Sequence, residues 1–427
     1  MKNLEAMLRT DARVTDYKIN VHDRKSYEMF FVKGKLETVR CANVCDTTVT
    51  VYAAHGDFLG DADFRVYPST TQEQLPGLID EAVHKALLID NKPYSLPANE
   101  EGEYTVESNF SEFSPEGLAA TVANTVFSAN RIDNGSLNAV EVFINRHHET
   151  VCNSRGIHKS QVRYDAMVEA IPTYNGEKQS VELYEQYNFS ALDEEVLYQE
   201  IADMMAAVKA RYEAVKPQQA LQCKVILNKG EVHELFSEIA GSLTYASVYN
   251  HSTVFHKGDD IQKAPTGDRI EIIMEGAIKG NIRSAKFDSD GMSLDKMNIV
   301  HDGKAVNYFG DNRYGQYLGE QPTGSLPCLH VATGSLSEEE MKQGAYLEIV
   351  SMSGLQVDFF SDYIGGEIRL AYLFDGEGGV QLVTGGSISG SLLEKQDRLT
   401  FSTERYTNSH YDGPAAVLIP GVSVAGC

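Results

Sequence analysis

The spacing of apolar residues changes character along the chain. Near the N-terminus apolar and polar positions alternate in short stretches. Residues 27–32 read as a strand, Lys33-Gly34-Lys35 as its turn and 36–40 as the return. Residues 47–52 and 58–67 form a second hairpin about His55-Gly56-Asp57, ended by Pro68. The period then lengthens: Leu75, Leu78, Ile79, Ala82, Val83 and Ala86 recur at three and four, one face of a helix. Residues 91–115, rich in Pro, Glu, Asn and Ser, read as a connection. A helix is expected around 115–129, with strands near 138–145 and 162–171. The longest helical pattern is 190–216, where Leu197, Ile201, Met204, Met205, Val208 and Tyr212 share a face. Ser190 with Asp193 has the form of a capping pair, and Pro217 stops the helix.

A domain boundary is expected at Lys216-Pro217-Gln218-Gln219, giving domains of 1–217 and 218–427. The second opens with the strand Cys223-Lys224-Val225-Ile226-Leu227 and a short helix over 231–243. Short apolar strands separated by Gly, Asn and Asp follow, among them 269–274, 346–351, 367–374 and 379–383. Strands in runs with helices set apart predict an α+β protein: an N-terminal domain of β-hairpins and helices, then a β-rich C-terminal domain with antiparallel sheet.

Composition narrows the function. Lys plus Arg is 37 and Asp plus Glu is 61, a net charge of −24. Such a surface repels nucleic-acid backbones, and no run of Lys and Arg forms a basic patch. Six cysteines without a repeated CxxC spacing read as reduced thiols of a cytosolic protein. Met1-Lys2-Asn3-Leu4-Glu5 turns polar at once, so no signal peptide is expected. No apolar run approaches the ~20 residues that span a bilayer, so no membrane is expected and a cytoplasmic location is.

Several short strings occur in a characteristic order. The first half holds Gly34-Lys35-Leu36-Glu37-Thr38-Val39, a hairpin through Gly56 and Gly60, and Cys152-Asn153-Ser154-Arg155-Gly156. The second holds Ser247-Val248-Tyr249-Asn250-His251-Ser252-Thr253, then Gly315-Gln316-Tyr317-Leu318-Gly319 with Pro322-Thr323-Gly324-Ser325, then 351–377 and the ending 416–426. In this order and spacing the chain resembles the TldD/PmbA family over nearly its whole length. The resemblance implies a metallopeptidase family acting on unfolded peptides, also known as modulators of DNA gyrase. TldD-type members carry a His-Glu-x-x-x-His helix and a further cysteine ligand near the C-terminus. PmbA/TldE-type members lack those ligands and pair with a TldD-type subunit, which holds the zinc.

When 249–253 is matched to the family's segment, the His-Glu pair falls on Ser237-Glu238 and the second His on Ser242. The residues around 403–413, where the cysteine would stand, hold Asn408, Ser409 and His410 but no Cys, and Cys427 lies beyond. Serine hydroxyls are poor zinc donors. The resemblance therefore implies a PmbA/TldE-like subunit with no metal of its own, partnered by a TldD-like chain or by a second copy of itself. It also places Asn250, His251 and His410 near the peptide cleft.

A second reading uses His233, Glu234 and Glu238 as a shifted metal site of an active metallopeptidase. Residues five apart lie about 140° round a regular helix, which turns His233 away from Glu238. Glu234, Glu238 and Ser242, four apart, fall on one face. A third reading is a peptide-binding scaffold without a peptidase partner. Elsewhere, Cys328-Leu329-His330 reads as a half-buried strand with a free thiol. Cys41 and Cys45 have no second pair to complete a metal site. His147 and His148 are expected on opposite faces of a strand, which prevents chelation by the two together. The glycines of 385–390 lack GxSxG spacing, and those of 375–379 read as turns.

Overall fold

The computed structural model describes residues 2–217 and 221–426. Gln218 and Gln219 of the expected boundary, together with Met1 and Cys427, lie outside the described residues.

The first sheet is built from β1 (Asp16–Val32), β2 (Lys35–His55), β3 (Phe58–Val66), β4 (Glu100–Thr105), β5 (Gly135–Asn153), β6 (Ile157–Asn175), β7 (Ser180–Glu182) and β8 (Glu185–Phe189). Its order is β3-β2-β1-β5-β6-β4, with β7 and β8 continuing along β6. The two expected N-terminal hairpins are thus one meander, in which β2 runs unbroken through 41–46. In that stretch Cys41, Ala42, Val44 and Cys45 come in adjacent pairs and do not alternate with polar residues, so it gives no strand period. Along 35–46 β2 is an edge strand, largely exposed, where polar residues carry no desolvation cost. β5 and β6 also extend well past the strands expected from their apolar cores, here through polar residues that are paired on both sides within the sheet.

Helices α1 (Lys2–Thr10) and α2 (Leu75–Ala86) cover one end of this sheet. Sequence reasoning missed α1, although Leu4 and Leu8, one turn apart, are its buried pair. Helices α3 (Pro115–Ser128) and α4 (Glu194–Glu213) cover the other end. The cap of α4 is Asp193, whose carboxylate accepts from the amides of Glu195 and Val196. Ser190 lies outside the cap and donates to the carbonyl of Asn281. Val140, Val142 and Ile144 of β5 and Ala166, Val168 and Ala170 of β6 pack under α3 and α4. Odd-numbered residues face the other way, and those at 159, 161 and 163 meet the segment 282–293. Lys159, fully buried, reaches the Gly291 carbonyl and Ser293 Oγ at 2.8 Å each. Gln161 accepts from the amide of Lys286 at 2.8 Å.

The second half holds β9 (Leu221–Asn228), α5 (Gly230–Ser242), α6 (Tyr245–Tyr249), β10 (Ile272–Glu275), β11 (Lys296–His301), β12 (Lys304–Ala305), α7 (Asn312–Leu318) and β13 (Cys328–Val331). After these come β14 (Tyr346–Asp358), β15 (Tyr363–Phe374), β16 (Gln381–Val383), β17 (Ser387–Gly390), β18 (Thr400–Phe401), β19 (Arg405–Asn408), β20 (Tyr411–Pro414) and β21 (Ala416–Ala425). One sheet has the order β12-β11-β10-β13-β20-β19. The other runs β14-β9-β21-β17-β15 and closes through β14–β15 pairing into a barrel, with β16 and β18 at its margins. The α+β expectation holds. The pairs β14–β9 and β13–β20 are parallel, an addition to the antiparallel expectation.

Helix α5 joins the two sheets of this half. Val232, Leu235, Phe236 and Ile239 are buried in a core shared by both. Each such side chain contributes roughly 1.5–3 kcal/mol by leaving water, so the register of the helix is firmly set. The opposite face, with His233, Ser237 and Glu238, is then fixed by default.

Candidate functional site

Two elements bring the principal side chains together. His233 sits in the first turn of α5, aimed by the burial of Val232 and Phe236 on either side. His410 occupies the two-residue turn between β19 and β20, after Ser409 at φ 49. The carbonyl of Ser409 accepts from Ile282 N at 2.9 Å and that of His410 from Leu329 N at 2.8 Å, which holds the turn rigid. The two imidazoles meet through their Nε2 atoms, with ring planes 86° apart. Ser237 Oγ lies 2.8 Å from the same nitrogen of His233.

Burial drives both rings neutral. It lowers His233 to about 4, helped by the positive charge of Arg283. It lowers His410 to about 3, helped by His233 and then Arg283. Neutral rings let one N–H donate to the other's lone pair. Beyond the pair, Asn408 and Tyr406 of β19 line a cavity of about 420 Å³ with Lys229, Glu231, Glu185 and Glu200. Burial pushes Glu231 up to about 7, although its carboxylate accepts from the amide of Met352 at 3.1 Å.

Residues 220–426 match the family model described as the PmbA/TldA metallopeptidase C-terminal domain. The C-terminal half of this chain belongs to the PmbA/TldD family. No curated protein matches the chain. Its fold is similar along the whole length to that of TldE from Thermococcus kodakarensis, with TM-score 0.81 and 16% identity, covering 99% of this chain and 100% of that one. A protein from Thermotoga maritima, described as a modulator of a DNA gyrase, gives TM-score 0.80 at 14% identity, covering 99% of each chain. One from Bacteroides thetaiotaomicron, described as a modulator of DNA gyrase, gives 0.81 at 13%, covering 100% of this chain and 99% of that one.

In this PmbA/TldD domain the expected ligand positions spread along α5. Ser237 touches His233, whereas Ser242 is buried at the far end, roughly 14 Å from His233 at ~1.5 Å per residue. Glu238 is half-buried and raised, first by burial and then by the charges of Asp358 and Glu234. Glu234 is exposed, its carboxylate 3.9 Å from the other ring nitrogen of His233. Asn250 and His251 follow α6 on an exposed turn, with His251 at φ 56.

The structure therefore unites His233, Ser237 and His410, keeps Glu234 near His233 alone, and leaves Glu238, Ser242, Asn250 and His251 apart from them. Among the described residues, no other His, Cys, Asp or Glu offers a ligand atom that joins the two imidazoles within 4.8 Å. A catalytic zinc takes three protein ligands and keeps the fourth position for water. Two nitrogens and a hydroxyl fall short of that set, so these residues do not fit a peptidase zinc.

Sequence reasoning named His233 and His410 separately and did not foresee their contact. They lie 177 residues apart, and no local spacing links them. Cys328 and His330 stand as expected: the thiol is buried, and His330 Nδ1 lies 2.7 Å from Asp412. Among the described residues no helix is long and apolar enough to cross a membrane.

Proposed function

We propose that this chain is a PmbA/TldE-like subunit of a TldD/TldE-type peptide-processing system and does not itself hold the peptidase metal. The carrying observation is the His233–His410 contact. Two neutral imidazoles that satisfy each other, beside a serine hydroxyl, form a closed pair rather than an open coordination site. The cavity beside them is large enough for a few residues of an extended peptide and is lined with Glu231, Glu185 and Glu200. In this reading a TldD-like partner, or a second copy of the chain, completes the assembly, and zinc resides in the TldD-type subunit. The division at 217/218, the cytoplasmic location and the roles of Asn250, His251 and His410 in the cleft belong to the same proposal.

The approach of His233 to His410 also supports a second reading, an active peptidase whose ion separates the two rings and draws in Glu238. Peptide hydrolysis by the isolated chain, with and without zinc, decides between them. The subunit reading expects no turnover from the wild type and none from His233→Ala. Zinc-dependent turnover abolished by His233→Ala and by His410→Ala would overturn it. Co-purification from the source organism tests the partner: recovery without a TldD-like chain favours a peptide-binding scaffold.

A further inference from the structure

The face of the N-terminal sheet turned away from α3 and α4 carries a second histidine cluster. Residues two apart share a face of a strand. His22 of β1, His147 and Glu149 of β5, and Gln161, Arg163 and Asp165 of β6 do so across three adjacent strands. The register sets His22 opposite Glu149 and His147 opposite Arg163. His22 Nε2 lies 2.8 Å from His147 Nδ1 and 3.8 Å from a carboxylate oxygen of Glu149. One ligand atom from each of the three lies within 4.8 Å of the other two.

The surrounding shell orients these atoms. His147 is buried, and its Nε2 lies 2.5 Å from Asp165 Oδ2. A carboxylate there holds the proton on Nε2 and leaves the Nδ1 lone pair facing His22 and Glu149, as in carboxylate–histidine–metal triads. Asn145 Nδ2 donates to Asp165 at 2.7 Å. Glu149 accepts from Gln161 at 2.8 Å and from Arg163 at 2.8 and 3.0 Å. Glu149 and Asp165 thus place two hydrogen-bonded carboxylates beside the two imidazoles. The cluster opens on a cavity of about 540 Å³ between this sheet and the segment 282–289, lined also by Arg283, Phe287 and Asp288.

We propose that His22, His147 and Glu149 form a binding site for a divalent ion of the zinc class. Two imidazoles with one carboxylate are a donor set for zinc rather than for magnesium or calcium, which take oxygen. The cavity side leaves room for water in the fourth position. Without an ion the same atoms form a relay in which His22 donates to His147 and His147 to Asp165, and the ion replaces its first link. The resemblance implies no metal of its own for this chain, and this proposal departs from that expectation at ligands other than the peptidase positions.

The test is zinc titration into the full chain carrying His233→Ala and His410→Ala, in competition with a chromophoric chelator. One equivalent should bind, and cobalt in its place should give the visible absorption of a four-coordinate nitrogen/oxygen site. Adding His22→Ala should weaken binding at least about 100-fold, and Asp165→Asn about 10–100-fold, with circular dichroism unchanged. His22 is half-exposed, which makes it the mildest first replacement. Should His22→Ala fail to fold, His22→Gln keeps a hydrogen bond to His147 and is expected to lose the ion equally. No stoichiometric uptake in the His233/His410 background would overturn the proposal. So would uptake that survives replacement of both His22 and His147.

Discussion

Replacing His233 and His410 together with leucine should remove much of the chain's sensitivity to mild acid. Folding lowers the two imidazoles from 6.5 to about 4 and about 3, chiefly by burial. The unfolded chain takes up protons near 6.5, whereas the folded chain refuses them until the pH is far lower. The neutral pair thus contributes its full stability above 6.5, and that contribution drains away as the pH falls toward 4 and then 3. Each ring loses about 1.4 kcal/mol per pH unit in this window. By about pH 5 the pair has lost about 4 kcal/mol, or nearer 2 once the partial exposure of His233 admits solvent. Urea midpoints at about pH 7.5 and pH 5 measure it: the wild type should lose on the order of 1 M. The double-leucine chain should lose little, and at about pH 7.5 it should match the wild type closely, because both partners of one hydrogen bond leave together. An equal loss of midpoint in both proteins would refute the assignment of the acid-labile element to this pair.

Four further outcomes follow from the packing. Lys159→Met keeps the buried stem but strips Gly291, Ser293 and Glu100 of their shared donor, and should cost about 2–4 kcal/mol by denaturant unfolding. An unchanged midpoint would sever this lysine from the joint between the sheet and 282–293. Burial pushes Asp412 up, yet hydrogen bonds from His330, Arg405 and Thr407 hold it at about 2, against 3.8 ordinarily. That stability is whole above 3.8 and lost as the pH falls toward 2, so Asp412→Asn should cost about 2 kcal/mol near neutrality, read from the same unfolding curves. Gly60→Ala would place a methyl 1.7 Å from the Ala86 carbonyl and should cost at least about 1–3 kcal/mol. Gly77→Ala, in open space on α2, should instead gain up to about 1 kcal/mol, and thermal melts of the two separate the effects.

The legible parts of this chain were those with one apolar face against one core. The faces of α2, α4 and α5 follow the periodicity of three and four, and the burial of Leu197, Ile201, Met205, Val232, Leu235 and Phe236 agrees with it. Polar residues turned toward another polar-lined segment were illegible, because in sequence they look like residues turned toward water. The expected strands near 138–145 and 162–171 stop short of 150–153 and 157–161, yet Lys159 and Gln161 there meet 282–293 through hydrogen bonds. His233 was legible only as a candidate ligand, because the turn that covers it lies 177 residues away. Both histidine pairs are therefore products of one architectural fact: the polar faces of the N-terminal sheet and of α5 are roofed by chain from the second half. Arg283 connects them. It lines the cavity beside His22 and Glu149 and also depresses the basicity of His233 and His410.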